Sequence, residues 1–200
     1  MKYIVSNYHN DLSWIPAYTN DYIIYDQSGT STLPNTVKRK HQGSDIHDKL
    51  SYIISNYDNL PDACMMIKGN LFKYITKEEF DLVKDNTTFT PLLTKHHKTG
   101  LPLCFYSEDG LYNELNESSY VVGTNLPRKF YTKHQDFAKD FNLPSGEYLR
   151  FAPGSNYIIP RQNIHKHPKT YYKRLRAIID YTGYSCEAQM IERSLYEIFK

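Results

Sequence analysis

Five apolar residues in a row, at positions 63–67, restrict the fold more than any other segment of this chain. A strand that is apolar on both faces has to be covered on both faces, as happens in a sheet with helices on either side. Shorter strand-like runs at residues 3–6 and 22–26 precede it, and helical patterns lie between such runs. The sequence therefore predicts an α/β fold.

Several helices are predicted from periodicity and from end signals. Residues 44–54 carry apolar side chains at 46, 50, 53 and 54, which is a helical spacing, and Ser44 is the expected cap. Thr76 precedes Glu79 by three residues, as in a capping box that opens a second helix. The loop at 27–35 is rich in Ser, Thr, Gly and Pro. The remaining predictions are strands at 148–151 and 157–159 and helices at 130–141, 168–181 and 187–199.

Charge and composition exclude some classes of function. The chain has 200 residues, with 24 Lys and Arg against 22 Asp and Glu, so its formal net charge is only +2. This balance argues against nonspecific electrostatic binding of nucleic acid. No run approaches the roughly 20 apolar residues of a membrane span. The three cysteines are odd in number and far apart, which predicts neither a disulfide framework nor a metal pair and favours the cytoplasm.

A polar segment follows the first predicted strand directly. In open α/β sheets ligands bind outside the carboxyl ends of the strands, so side chains here can stack a base and hydrogen-bond a ribose. The alternative is an ordinary loop in which Asp11 caps a short helical turn. Asp26, at the end of the second predicted strand, is a further candidate, with a plain turn residue as the alternative. The candidates in the polar segment are Ser6, Asn7, Tyr8, His9 and Asp11.

A cluster of four potential cations occupies residues 38–41. Lys38 and Arg39 can hold phosphate oxygens by charge-assisted hydrogen bonds. Gly43 and Ser44 open the next predicted helix, and backbone donors at a helix N-terminus favour an anion. The alternative is a solvated charged face. Together these residues form a candidate phosphate site.

Further candidates lie at a corner, in a turn and in the last predicted helix. Lys68 and Asn70 follow the apolar run, and Asn70 is a possible, though weak, oxygen ligand for a metal. Glu192 lies on an otherwise apolar face of the last helix, and Glu187 lies at its start, where the helix dipole favours a carboxylate. For Glu192 a surface salt bridge is the ordinary alternative. Asp109 lies in a turn at 107–110 that is expected to be solvated.

Several segments together resemble a known family. The stretches IVSNYHNDLSW and YIIYDQ resemble the opening of the small A-type glycosyltransferases of chlorella viruses and of a related uncharacterised family in fungi and bacteria. The most specific match is QGSDIHDKLSYIISNYDNLPD followed by MMIKGNLF. The stretches FAPGSNYIIPRQNIHKHPKTYYKRL and EAQMIERSLYEIF match the last third of the family. The resemblance covers nearly the whole chain.

The resemblance implies a glycosyltransferase that uses a nucleoside diphosphate sugar, of UDP or GDP type, and a glycan acceptor. It implies one GT-A-like domain over residues 1–200, with a mixed, mostly parallel sheet flanked by helices. The nucleotide-binding half would span about 1–75 and the acceptor half about 76–200. The viral members are implicated in building the capsid-protein glycan, which would place this chain in the host cytoplasm. Residues 6–11 and Asp26 would contact the nucleoside, and Lys38, Arg39, Gly43 and Ser44 would approach the diphosphate.

The sequence departs from the family pattern at one important corner. Lys68-Gly69-Asn70 stands where such enzymes keep an Asp-x-Asp motif for Mn²⁺ or Mg²⁺, so a metal cofactor is in doubt. Lys68 would then supply the positive charge at the leaving diphosphate. A catalytically inactive nucleotide- or carbohydrate-binding module is the alternative function. The candidate carboxylates for proton transfer are Asp109, Glu187 and Glu192, and Asp45 is a fourth candidate for donor-sugar hydroxyls.

Overall fold

Two sheets organise the chain, in a computed structural model that describes residues 1–94, 104–116 and 125–200. The larger sheet has six strands in the order β3-β2-β1-β4-β9-β5, and the smaller has three in the order β6-β7-β8. The strands are β1 (Lys2–Asn7), β2 (Tyr22–Asp26), β3 (Thr36–Lys38), β4 (Ala63–Lys68), β5 (Thr90–Pro91), β6 (Cys104–Tyr106), β7 (Tyr112–Leu115), β8 (Tyr148–Phe151) and β9 (Tyr157–Pro160).

The larger sheet is mixed, as predicted. Strands β1, β2, β3 and β4 pair in parallel, whereas β9 runs antiparallel to both of its neighbours, β4 and β5. Helices flank this sheet, so the predicted α/β class is confirmed. The helices are α1 (Ile15–Tyr18), α2 (Ser44–Asn56), α3 (Lys77–Val83), α4 (His134–Asp140), α5 (Arg161–Ile164), α6 (Lys169–Ala177) and α7 (Cys186–Phe199). Short 3-10 turns cover Tyr57–Asn59 and Leu71–Lys73.

Strand β4 runs through the centre of the core. All five residues at 63–67 are at most 3% exposed, which confirms that both faces of this strand are covered. Cys64 and Met66 pack on the face that carries α2, α6 and α7, whereas Met65 and Ile67 pack on the opposite face with α1 and α3. Burying side chains of this size stabilises the fold by about 1.5–3 kcal/mol each.

Helix ends follow the predictions in part. Thr76 and Glu79 form the predicted capping box, because the Thr76 hydroxyl accepts from the Glu79 amide at 3.2 Å and Glu79 Oε2 accepts from the Thr76 amide at 3.2 Å. Ser44, in contrast, is not the cap of α2. The cap is Gly43, in a left-handed conformation with φ +59°, and the Ser44 hydroxyl donates to Asp45 instead.

Strand order places a crevice in the larger sheet. From β1 the chain moves outward to β2 and β3 on one side, and it then returns to β4 on the other side. Loops that leave β1 and β4 therefore diverge, and ligands of open α/β sheets bind at such a reversal. Among the residues that the structure describes, no helix is long and apolar enough to cross a membrane.

Candidate functional site

A cleft of about 330 Å³ opens at the carboxyl ends of β1 and β4, where the strand order reverses. Nine of its lining residues lie in the segments predicted from the sequence, and three others join them. The predicted nine are Ser6, Asn7, Tyr8, Asn10, His41, Ser44, Asp45, Lys68 and Asn70. The three additional lining residues are Gln27, Asp48 and Tyr184.

Asp26 holds the side chain of Asn7 in place at the end of β1. Asn7 donates from Nδ2 to Asp26 Oδ1 at 3.0 Å, and its own Oδ1 accepts from the Asn10 amide at 3.1 Å. Asp26 is fully buried and also accepts from Ser28 and from the Ser31 amide. Burial opposes its ionisation, but these hydrogen bonds outweigh burial and lower the pKa of Asp26. Asp26 therefore orients Asn7 and does not itself line the cleft.

A buried ion-pair cluster forms the floor of the cleft. The carboxylate of Asp45, in the first turn of α2, accepts from Lys49 Nζ at 2.7 Å and lies 3.3 Å from Lys68 Nζ. The Ser155 hydroxyl also donates to Asp45 and lies 2.5 Å from Lys49 Nζ. Burial opposes ionisation of Asp45, but the two ammonium groups outweigh it and hold the pKa of Asp45 well below its usual range. A carboxylate held in this way is a poor proton acceptor.

Lys68 is the cation of this cluster that reaches the cleft. Its side chain keeps 23% of its exposure, against 5% for Lys49. Burial disfavours its charge, but Asp45 and Glu192 outweigh burial and raise the pKa of Lys68 above its usual range. Lys68 is therefore charged at neutral pH and open to a ligand.

Asp48, one turn after Asp45 on α2, is a lining residue that sequence analysis missed. Its Oδ2 accepts from Gln27 Nε2 at 2.9 Å, whereas its buried Oδ1 has no hydrogen-bond partner. Burial, with a further contribution from Asp45, raises the pKa of Asp48 to about 8. Its spacing of three residues from Asp45 on a predicted helix was the available signal.

Aromatic rings flank the mouth of the cleft. The Tyr8 ring stacks on the His41 ring, with centroids 4.5 Å apart and an angle of 24° between the planes. Tyr8 is 51% exposed and Tyr184 is 41% exposed, so both rings remain accessible at the mouth. These rings can hold a flat base or a sugar face.

The predicted phosphate site is only partly assembled. His41 lines the cleft, but Arg39 lies over the Tyr25 ring at 4.8 Å, and Lys38 ends β3 at the edge of the sheet. The amides of Gly43 and Ser44 donate to the carbonyls of Thr182 and Gly183, at 2.7 and 2.8 Å. The loop before α7 therefore occupies the backbone donors that were expected to face an anion.

Two more residues of the predicted polar segment lie outside the cleft lining. His9 is exposed, with a left-handed φ of +57°. Asp11 is exposed, and its Oδ1 accepts from the Ser13 amide at 2.9 Å, which lowers its pKa. Asp11 thus orders the chain just before α1.

The candidate carboxylates separate into two groups. Glu192 accepts from the Gly154 amide at 2.8 Å and helps to raise the pKa of Lys68, so it belongs to the edge of the cluster at Asp45. Glu187 is instead bound by the amides of Lys129 and Phe130. Asp109 pairs with an arginine on β8 and lines a second cavity, of about 270 Å³, beside α3.

The cleft is a poor match for a divalent cation. Asn70 lines it, with a buried Oδ1 that lacks a partner, but Asn70 is neutral. Asp45 is occupied by two lysines, and Asp48 carries a raised pKa. Within 1–94, 104–116 and 125–200 there is no group of three or more His, Cys, Asp or Glu that could hold a metal ion. Mn²⁺ and Mg²⁺ prefer several charged oxygen ligands, which this donor set does not offer.

Comparison with known proteins identifies the family. A family model described as "Protein of unknown function (DUF3431)" matches residues 3–199, and the chain belongs to this family. Neither the curated proteins nor the solved structures contain a match to the chain.

Proposed function

We propose that this DUF3431 member is a glycosyltransferase with a GT-A-like fold, which moves a sugar from a nucleoside diphosphate sugar to a glycan acceptor. The observation that carries the proposal is the position of Lys68, a charged and partly exposed side chain on the floor of the switch-point cleft. Crevices at this point of an α/β sheet suit nucleotides. The motif resemblance along the chain also supports it, and within that resemblance the acceptor is a capsid-protein glycan.

Lys68 has the chemistry that a departing diphosphate needs. Cleavage of the bond between the anomeric carbon and the phosphate oxygen leaves an extra negative charge on the diphosphate. A fixed cation in a half-buried site stabilises such charge strongly. Lys49 shares the carboxylate of Asp45 at 2.7 Å, so Asp45 does not fully neutralise Lys68. Lys68 therefore takes the role that a metal ion fills in enzymes with an Asp-x-Asp motif.

The nucleoside fits the other side of the cleft. Tyr8 and His41 offer a stacking surface at the mouth, and Asn7 and Asn10 line the cleft with them. Asp26 holds Asn7 in position by the hydrogen bond of 3.0 Å. This arrangement supports a base stacked at the mouth, with its ribose towards β1 and its diphosphate towards Lys68.

Glu192 is the best-placed proton acceptor among the candidate carboxylates. In an inverting transfer the acceptor hydroxyl oxygen bonds to the anomeric carbon, the nucleoside diphosphate leaves with the electron pair, and the hydroxyl proton passes to a carboxylate. Asp45 is held by two lysines, whereas Glu192 accepts one backbone hydrogen bond at 2.8 Å and lies 4.0 Å from Arg193 Nη1. Its charge also acts on Lys68. Glu192 therefore keeps lone pairs for a proton.

The test is release of nucleoside diphosphate from a panel of UDP- and GDP-sugars, with Mn²⁺ and with EDTA. We expect turnover that EDTA leaves unchanged. Lys68→Met should lower turnover about 10- to 100-fold, because a charge-assisted hydrogen bond contributes about 1.5–3 kcal/mol. Lys73→Met is the matched control, since Lys73 is exposed, and it should behave like the unchanged protein. No nucleotide binding, hydrolysis or transfer from any donor would exclude the enzyme.

An inactive nucleotide- or carbohydrate-binding module is the second candidate. The observation that favours it is the pair Lys68 and Asn70, which replaces both acids of the metal motif. The same panel separates the two candidates. A module binds a nucleotide or nucleotide sugar tightly and releases no diphosphate even when glycan acceptors are supplied.

A further inference from the structure

Asp48 is a buried polar side chain with one unused oxygen at the cleft. The residue is 0% exposed and belongs to the cleft lining. One oxygen accepts from Gln27 at 2.9 Å, and the other, Oδ1, has no partner. A buried polar atom without a partner destabilises the ligand-free protein, so a ligand that pairs with this oxygen binds more tightly.

The surroundings of Asp48 favour its neutral form. Burial has the largest effect on its pKa, and the negative charge of Asp45 on the same helix adds to it. The hydrogen bond from Gln27 and the charge of Arg39 act in the opposite direction without cancelling these effects. Tyr25 also faces Asp48 from β2, and Lys68 and His41 share its cleft.

We propose that the neutral carboxyl of Asp48 donates a hydrogen bond from Oδ1 to a phosphate oxygen of the bound nucleoside diphosphate. The inference rests on the proposed function and assigns a new ligand contact within the same cleft. With Asp48 neutral, the negative charges of Asp45 and Glu192 balance the positive charges of Lys49 and Lys68 beneath the ligand. An ionised Asp48 would leave a net negative charge there and place a lone pair against the phosphate.

Binding and proton uptake are therefore linked. Near pH 7 Asp48 already holds its proton, so the ligand binds without taking up another. Above pH 8 the ligand-free protein loses the proton, and binding must recover it from solution. Affinity should then fall by up to about tenfold for each pH unit. The phosphate itself titrates near pH 6, below this window.

The experiment is titration calorimetry of uridine and guanosine diphosphates at pH 7, 8, 9 and 9.5, in buffers with different ionisation enthalpies. For the unchanged protein we expect loss of affinity above pH 8, with proton uptake rising from near zero towards one per ligand. Asp48→Asn keeps an oxygen for Gln27 and an amide donor for the phosphate, so its affinity should be independent of pH. Asp58→Asn, at an exposed acid on the surface, is the control and should retain the pH dependence.

The outcomes are distinguishable. Constant affinity of the unchanged protein from pH 7 to 9.5, or the same pH dependence in Asp48→Asn, would overturn the role of Asp48 and leave the proposed function standing. If neither diphosphate binds at any pH, the proposed function fails, and this inference fails with it. Asp48→Leu adds a second check, because it removes the donor and should weaken binding at pH 7 at least tenfold.

Discussion

Glu187 shows at the scale of one residue how a carboxylate can serve as an anchor. It is 0% exposed and accepts from the amides of Lys129 and Phe130, at 2.8 and 2.7 Å, and from the Tyr181 hydroxyl at 2.6 Å. Burial opposes its ionisation, but these donors outweigh burial and lower its pKa. Glu187 thus ties the segment before α4 to the start of α7.

Glu187→Gln should therefore affect stability and spare the cleft. The amide oxygen accepts less strongly than the carboxylate from the Lys129 and Phe130 amides, and the NH₂ group then faces the Tyr181 hydroxyl, which donates to Oε2 in the unchanged protein. We expect the free energy of unfolding to fall by about 2–3 kcal/mol in urea titrations. Nucleotide affinity should stay unchanged. A loss of affinity with unchanged stability would instead show that Glu187 acts on the ligand.

His134 makes stability depend on pH. Its ring nitrogens contact Ser145 Oγ at 3.2 Å and Ser194 Oγ at 2.9 Å, and the side chain is buried. Burial, with a further contribution from Arg193, lowers the pKa of His134 to about 4. The folded state therefore favours the neutral form, and the unfolded chain binds the extra proton at mildly acidic pH.

The sign of the His134 effect follows from that depressed pKa. Its contribution is complete above the pKa of an unfolded histidine, about 6.5, and is lost as pH falls from there towards 4. The loss approaches about 1.4 kcal/mol per pH unit. Urea unfolding at pH 7, 6 and 5 should show it, and His134→Gln should have a shallower slope. If the free energy of unfolding has the same slope against pH in both proteins, another group causes the pH dependence.

Individual site residues differ in how far sequence can predict them. Lys49 follows Asp45 by four residues on a predicted helix, which is the spacing of a helical ion pair. Ser155 joins the same cluster from 110 positions away. No local pattern links Ser155 to Asp45, because their contact depends on how the sheet places the loop before β9 against α2.

At the scale of the element, the start of α3 was predicted from the sequence, and the contribution of its cap to stability can be tested. Its cap residue, Thr76, accepts from the Glu79 amide at 3.2 Å. Thr76→Ala should lower the free energy of unfolding by about 1 kcal/mol, because one backbone donor loses its partner. The matched control is Thr88→Ala, in an exposed loop position. Urea titrations should show a lower free energy of unfolding for Thr76→Ala than for Thr88→Ala. Equal values would show that the cap does not stabilise α3.

Other elements could not be predicted for physical reasons. Strand β3 has only three residues, none of them buried, so it lacks an apolar pattern. It exists because it pairs with β2. The three-stranded sheet was also missed, since β7 contains Asn113 and Glu114, whose burial depends on partners far along the chain. The predicted helix at 130–141 begins later, at His134. The sequence also predicts strand and loop over residues 89–106, a segment that lies partly outside the described residues.

At the scale of the whole molecule, strand order determines where the cleft lies. The sequence predicted strands β1, β2 and β4, and in a parallel sheet their carboxyl ends lie on one edge. It did not indicate that β2 and β4 flank β1 on opposite sides, which is the arrangement that opens a crevice. Pairing of strands distant in the chain depends on the packing of both faces, and single segments carry little of that information.

This arrangement predicts where a nucleotide should protect the backbone from hydrogen exchange. Saturating uridine or guanosine diphosphate should slow exchange in peptides covering 5–12, 39–50, 66–72 and 180–186, which line the cleft or close it. Peptides covering 104–116 should exchange at the same rate with and without ligand, because that hairpin borders the second cavity instead. Lys68→Met, measured at the same ligand concentration, should lose the protection. Protection of the hairpin with none at the cleft would move the binding site to the second cavity, since exchange slows where a ligand suppresses local opening.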